Sequence, residues 1–271
     1  MASWRSTPPT TAVTDVKALR AAARLLRLTL HLLRGLHTLR TRYPKLDEAG
    51  RQEAIRRWSQ QALRILGVRL QVLGEPPAAG PLLVVANHQS WLDIFVVNAA
   101  RPCRFVSKAD VKHWPVIGRL VAGAGTLFIE REKRRDALRV VHHMAEQLQA
   151  GDVLAVFPEG TTGDGQGVLP FHANLLQAAL ATDSAIQPVG LAYLHGHGQA
   201  LLGEAHRHEA PTYIGDTTLV TSLWRTACAT DLQATVHWGE PDTALGRDRR
   251  AWAEALRTEV ARLADQPLTP G

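Results

Sequence analysis

The residues best suited to chemistry are His88 and Asp93, in the stretch Asn87-His88-Gln89-Ser90-Trp91-Leu92-Asp93. Imidazole titrates near neutral pH, so His88 can take a proton from a hydroxyl. A carboxylate behind the ring would hold its tautomer and stabilise the imidazolium that forms. Side chains five apart on a regular helix point roughly 140° away from each other, so the pair needs a turn before a helix begins. The preceding run Pro81-Leu82-Leu83-Val84-Val85-Ala86 reads as a buried strand, and a strand-to-helix junction supplies that turn. No Ser or Cys nucleophile is required, because an acceptor hydroxyl can attack an activated acyl group directly. A positioned base of this kind is worth roughly 10²–10⁴ in rate. With 12 His in the chain, one such pair decides nothing alone.

Two further polar clusters also follow apolar runs. Gly125-Thr126-Leu127-Phe128-Ile129-Glu130-Arg131 puts Arg131 at the end of a short strand, where a guanidinium can fork onto a phosphate or carboxylate. Lys133, Arg134 and Arg135 beyond it read as the solvated start of the next helix. Phe157-Pro158-Glu159-Gly160-Thr161-Thr162 closes the strand Val153 to Phe157. Proline there stops the ladder, Gly160 lets backbone approach a ligand, and a Gly- and Thr-rich turn can hold an oxyanion or phosphate. Glu159, between Pro and Gly, needs a partner. The glycines of Gly163-Asp164-Gly165-Gln166-Gly167 lack the spacing of a dinucleotide fingerprint. The pairs His142/His143, His195/His197 and His206/His208 match no standard zinc spacing, so no metal is expected.

The elements that must position these groups alternate. Strands are expected at Val68 to Leu73, Pro81 to Ala86, Cys103 to Ser107, Gly125 to Ile129, Val153 to Phe157, Ile186 to Tyr193 and Gln233 to Trp238. Helices are expected at Asp93 to Ala100, Asp110 to Ala122, Lys133 to Gln149, Phe171 to Ala181, Thr217 to Ala229 and Arg247 to Ala264. The fold class is α/β, a mixed and mostly parallel central sheet flanked by helices, preceded by an amphipathic helical hairpin. Residues 1–14 read as a disordered tail, 15–66 as the hairpin and 67–265 as the α/β domain, with a loose end after Pro267.

The hairpin has an unusual charge pattern. Lys17, Arg20, Arg24, Arg27, His31 and Arg34 form one helical stripe, and no acid occurs from Lys17 to Arg40. Leu19, Leu26, Leu30 and Leu33 cover the opposite face, widened by Leu25, Leu28, Leu32 and Leu36. A helix lying in the plane of an anionic bilayer has this pattern. Tyr43-Pro44 ends it, and a second helix runs from Asp47 to Leu66.

Composition narrows the class. The chain of 271 residues carries a formal charge of +6, which favours anionic partners. Two cysteines, Cys103 and Cys228, exclude a disulfide framework and fit a reducing compartment. No run of 18 apolar residues predicts a transmembrane helix, and the start of the chain has no signal-peptide pattern. A basic nucleic-acid-binding protein is the distant alternative, but no recognised nucleic-acid motif is present.

Taken in order, Asn-His-x4-Asp, Gly-x2-Phe-Ile-x-Arg and Phe-Pro-Glu-Gly-Thr resemble the blocks of the lysophospholipid acyltransferase family, of which the 1-acylglycerol-3-phosphate acyltransferases are the best-known members. The likeness spans about Val68 to Tyr193 and includes Ser107-Lys108 and Ile186-Gln187-Pro188-Val189. The resemblance implies an O-acyltransferase with His88 as general base and Asp93 as its partner. It implies that Arg131, Glu159, Gly160 and Thr161 bind the glycerol-phosphate end of the acceptor. It also implies an acyl-CoA or acyl-carrier-protein donor, no bound cofactor, no metal, and a peripheral or monotopic seat on the cytoplasmic face of a membrane. The expected acceptor is 1-acyl-sn-glycerol-3-phosphate, giving phosphatidic acid. Two departures point elsewhere. Many phosphatidic-acid-forming members carry Arg where this chain has Thr162, and Lys where it has His172. Each missing cation removes a charge-assisted bond worth roughly 1.5–3 kcal/mol, which makes lyso-ornithine lipid the alternative acceptor. Hydrolysis of a thioester, with water in place of the lipid hydroxyl, is a further enzyme reading. Gly215 to Leu219 with Ser222-Leu223-Trp224 lies beyond the shared blocks and has no assigned role.

Overall fold

A computed structural model describes residues 10–129, 134–196 and 207–266. Arg131, Lys133, His197 and His206 lie outside them. In chain order the elements are helices α1 (Thr10–Thr41) and α2 (Glu48–Leu66), strands β1 (Val68–Leu73) and β2 (Leu82–Ala86), α3 (Asp93–Ala100), β3 (Arg104–Lys108), α4 (Ile117–Gly123), β4 (Leu127–Ile129), α5 (Arg134–Gln149), β5 (Val153–Val156), α6 (Gln177–Thr182), β6 (Ala185–His195), α7 (Leu219–Cys228), β7 (Leu232–Trp238) and α8 (Arg249–Asp265). α1 starts directly after Pro8-Pro9 in the sequence, within the stretch expected to be a tail.

The strands form one sheet in the order β1-β7-β6-β2-β5-β3-β4. Only the β6–β7 pair is antiparallel, so the sheet is mixed and mostly parallel, as the alternation of elements implies. β2 lies at its centre, and all five of its residues are buried. Successive side chains on a strand point to opposite faces, and β2 feeds two cores this way. Leu82, Val84 and Ala86 pack with Leu63, Leu66 and Val96, while Leu83 and Val85 pack with Met144, Leu176 and Trp252. A sheet covered on both faces needs strands that are apolar throughout, which explains why β2 and β5 do not alternate in sequence.

The hairpin is not set apart from the sheet. Leu28 of α1 and Ala62, Leu63 and Leu66 of α2 belong to the same apolar cluster as β2 and β7. α2 starts at Asp47, whose carboxylate accepts from Gly50 N at 2.8 Å. It stops at Gly67, which takes the left-handed conformation (φ 75°) that ends many helices.

Two helices expected from periodicity are broken. Asp110 to Ala122 is a 3-10 turn, Ala109–His113, followed by α4 after Pro115. Proline has no N–H to give and disfavours helix at the residue before it. Phe171 to Ala181 likewise begins as a 3-10 turn, Ala173–Leu176, before α6.

Candidate active site

β6 runs past the end of β2, and that overhang holds the stretch following Ala86. Asn87 is buried and binds β6 through both ends of its amide: Nδ2 donates to Leu191 O at 2.9 Å, and Oδ1 accepts from Leu191 N at 2.7 Å. Gln89 Nε2 also donates to Leu191 O, at 2.8 Å. The chain then turns through Ser90 to Leu92, and Asp93 opens α3. The turn brings the two candidate residues together: His88 Nδ1 lies 2.8 Å from Asp93 Oδ2.

Asp93 is wholly buried (0% exposed) and its carboxylate is saturated. Oδ2 also accepts from Gln89 N at 2.7 Å and Ser90 N at 2.9 Å, and Oδ1 accepts from Tyr193 Oη at 2.6 Å. A buried carboxylate left unpaired would be costly. Here the donors hold it in place and make it a fixed acceptor for the His88 ring. Burial, and then the adjacent Asp93 charge, push the Tyr193 phenol well above its ordinary pKa, so it remains a donor. The ring of Phe157 lies against His88 with centroids 4.1 Å apart and planes 7° apart. The imidazole is thus held at Nδ1 and on one face, which leaves Nε2 as its working atom.

Glu159 sits beside this pair, because β5 is hydrogen-bonded to β2 and both strands end at the same level. The residue is 4% exposed. Oε1 accepts from His88 N at 2.5 Å, and Oε2 accepts from Leu169 N at 2.8 Å. Burial raises its pKa to about 7, although both backbone bonds and the nearby His88 oppose the shift. Both oxygens of Glu159, expected from the resemblance among the acceptor-binding groups, therefore hold backbone: that of His88 and that of the following loop. Gly163 N adds a bond to His88 O at 2.7 Å. Gly160 has φ 74°, a conformation that a side chain would strain, and it turns the chain so that Thr161 stands exposed at the cavity. Thr162 donates its hydroxyl to Tyr213 O. Arg131 lies outside the described residues.

His88, Gly160, Thr161 and Thr162 open onto a cavity of about 850 Å³ that runs between the sheet and the hairpin. Beyond His88 its walls are mostly apolar, with Leu25, Leu28 and Leu32 of α1, Trp58 of α2, and Phe95 and Phe105 among them. That volume falls within the usual range for small-ligand sites. Cys103 also lines it, but burial pushes the thiol up to about 12, so it carries no thiolate at neutral pH.

Sequence reasoning missed three contributors. Tyr193 had a usable signal, since a hydroxyl inside a strand buried from Ile186 to Leu194 must find a partner. Phe157 was read only as the end of a strand. The segment 207–213, whose Pro211 O accepts from Ser90 Oγ at 2.5 Å and whose Tyr213 N donates to Gln89 O at 3.1 Å, carried no local pattern.

The α1 stripe also faces differently from the expected polar surface. Arg24 Nη1 donates to Ala227 O at 2.9 Å and Ala229 O at 2.7 Å, and Arg20 Nη2 to Cys228 O at 3.5 Å. His31 is buried, with Nε2 3.0 Å from Trp58 O, and burial lowers its pKa. The carbonyls at the end of a helix lack intrahelical donors, and α7 draws these cations inward. Leu19, Leu26, Leu30 and Leu33 are left facing out.

A model of the acyltransferase family matches residues 68–192. A 1-acyl-sn-glycerol-3-phosphate acyltransferase of Neisseria gonorrhoeae is 36% identical over 249 residues, covering 89% of this chain and 94% of that protein. A lyso-ornithine lipid O-acyltransferase of Brucella abortus is 34% identical over 216 residues, covering 76% and 79%. Among solved structures, the 1-acyl-sn-glycerophosphate acyltransferase PlsC of Thermotoga maritima superimposes with a TM-score of 0.61 at 20% identity, over 92% of this chain and all of that one. At that identity the likeness speaks for the fold.

Proposed function

Since the chain belongs to the acyltransferase family, we propose that it moves a fatty acyl group from a thioester donor, acyl-CoA or acyl-carrier protein, to the free hydroxyl of a lysolipid. The observation that carries this reading is the His88–Asp93 pair, 2.8 Å apart, at the head of an apolar cavity of about 850 Å³. His88 Nε2 takes the proton of the acceptor hydroxyl, and the alkoxide attacks the thioester carbonyl. Because Gly160 N already donates to Phe157 O at 3.1 Å, this reading assigns the oxyanion to donors of Thr161, which stands exposed at the cavity. The tetrahedral intermediate then collapses, and His88 returns its proton to the departing thiolate. Asp93 keeps the ring in the correct tautomer and balances the imidazolium. Cys103, protonated at neutral pH, offers no competing nucleophile, in keeping with direct transfer. The apolar walls take an acyl chain.

Glu159 positions rather than binds in this reading: it holds the backbone of His88 against the loop that follows β5. Thr161 and, on the resemblance, Arg131 would meet the acceptor's head group. The preferred acceptor is 1-acyl-sn-glycerol-3-phosphate. Lyso-ornithine lipid is the second reading, favoured by one observation: Thr162 stands where many phosphatidic-acid-forming relatives have arginine, and its hydroxyl is committed to Tyr213 O. The outward leucines of α1 and the absence of acids from Lys17 to Arg40 support a seat on an anionic membrane surface. No described helix is long and apolar enough to cross a membrane, which fits peripheral binding, on the cytoplasmic face by this reading.

Purified enzyme offered lysophosphatidate and lyso-ornithine lipid side by side with labelled acyl-CoA tests the assignment. Label in phosphatidic acid supports the first acceptor, and label in ornithine lipid supports the second. Free fatty acid alone, independent of lysolipid, would mean thioester hydrolysis and overturn both.

A further inference from the structure

Helix α7 packs Leu223 and Ala227 inward but also turns large apolar side chains outward. Its buried side carries Ser222 and Thr226, while its outer side carries Val220, 76% exposed, and Trp224, 43% exposed. The inward hydroxyls are fully used: Ser222 Oγ accepts from Trp91 Nε1 at 3.0 Å and donates to Pro211 O at 3.3 Å, and Thr226 Oγ1 donates to Ser222 O at 2.8 Å. α1 shows this in part: Arg24 and His31 turn inward beside the buried Leu28, while Leu19 and Leu26, 73% and 63% exposed, turn out. The two helices pack together through the bonds from Arg24 to the end of α7. Apolar side chains turned outward on paired helices fit an apolar exterior.

Two more observations identify that exterior. Neither α7 nor the stretch from Lys17 to Arg40 contains an acid, and exposed Lys17, Arg27, Arg34 and Arg225 accompany the apolar residues. This charge complements anionic head groups. Thr29, Val220 and Trp224 are also both exposed and part of the cavity wall.

We propose that α7 is a second lipid-contacting element, with Val220 and Trp224 set against the bilayer surface beside the outward leucines of α1. This inference rests on the reading that α1 lies on a membrane, and it gives a role to the stretch from Thr217 to Trp224. A tryptophan there suits the head-group boundary, where an indole has one apolar and one wet side.

The test uses the full chain with phosphatidylglycerol vesicles whose acyl chains carry bromine at carbons 6 and 7. The emission of wild type minus that of Trp224→Phe isolates Trp224. The expected result is that this difference emission moves to the blue on binding and is strongly quenched by the brominated lipid. Val220→Ser with Trp224→Ser should weaken vesicle binding roughly tenfold or more with the far-ultraviolet dichroism unchanged. If the chain binds vesicles and the Trp224 emission stays unquenched, the inference is overturned and the α1 reading stands. If the chain binds no vesicles, the α1 reading falls with it. If sedimentation shows a dimer that shields Trp224 from brominated lipid, a second copy covers α7 and the inference fails.

Discussion

One cavity is bordered by His88, which Asp93 holds, and by α1, yet that carboxylate and the outward leucines of α1 are finished in opposite ways. Asp93 is completely buried and meets four donors, from His88, Gln89, Ser90 and Tyr193. Leu19, Leu26, Leu30 and Leu33 are each about half exposed or more. A buried charge must find all its partners within the chain, because nothing arrives later to solvate it. An apolar face can remain open if the surroundings supply the apolar phase. The polar end is thus complete within the chain, and on the proposed reading lipid completes the helical end.

The sharpest way to break the polar half of this contrast is Asp93→Asn. It replaces a saturated acceptor with an amide that confronts the N–H groups of Gln89 and Ser90. Transfer of labelled acyl groups should fall by roughly 10²–10⁴; turnover close to wild type would mean that His88 works without its partner.

The helical half is tested by Leu26→Asp with Leu30→Asp. Two outward leucines contribute about 1.5–3 kcal/mol each if lipid buries them, so co-sedimentation with phosphatidylglycerol vesicles should weaken by about 10²-fold or more. The melting temperature should hardly move, since water already reaches both positions. Unchanged vesicle affinity would separate α1 from the membrane.

Glu159 sharpens the contrast through pH. Its pKa of about 7 in the fold is raised from an ordinary 4.5. Between those values the native protein keeps a proton that the unfolded chain has lost. The stabilisation from this group is therefore complete below about pH 4.5 and is lost as pH rises through about 7, by up to about 3 kcal/mol. Urea unfolding at pH 5 and pH 7.5 measures it. In Glu159→Gln the corresponding part of the slope should vanish; an identical slope in both proteins would place the titration elsewhere.

The smallest effect is expected of Tyr193→Phe, which removes one donor from Asp93 and leaves the other three. Stability should drop by about 1.5–3 kcal/mol and turnover by severalfold. A drop as large as that of Asp93→Asn would make Tyr193 as necessary as the carboxylate itself.

Much of this was legible in the residues. The seven strands follow from short apolar runs bounded by Gly, Pro and polar turns, and His88 and Asp93 meet because a junction of strand and helix supplies the bend that their spacing requires. What escaped depends on long-range contacts. Tyr193 reaches Asp93 across 100 positions, and Pro211 receives Ser90 across 121; neither leaves a local period. The facing of α1 was hidden for the same reason. A helical wheel separates arginines from leucines, but only the carbonyls at the end of α7, some 200 residues away, turn Arg24 inward and the leucines out. Pro115 could have announced the break before α4, because its missing N–H is a local fact.

The central claim is that His88 removes the proton from the acceptor hydroxyl. It is tested most directly in a single turnover: excess enzyme, labelled acyl donor and saturating lysolipid, with wild type beside a His88→Ala variant of the same far-ultraviolet dichroism and melting temperature. The account predicts a rate lower by roughly 10²–10⁴ with donor binding retained. A folded His88→Ala enzyme that transfers the acyl group at nearly the wild-type rate would contradict it.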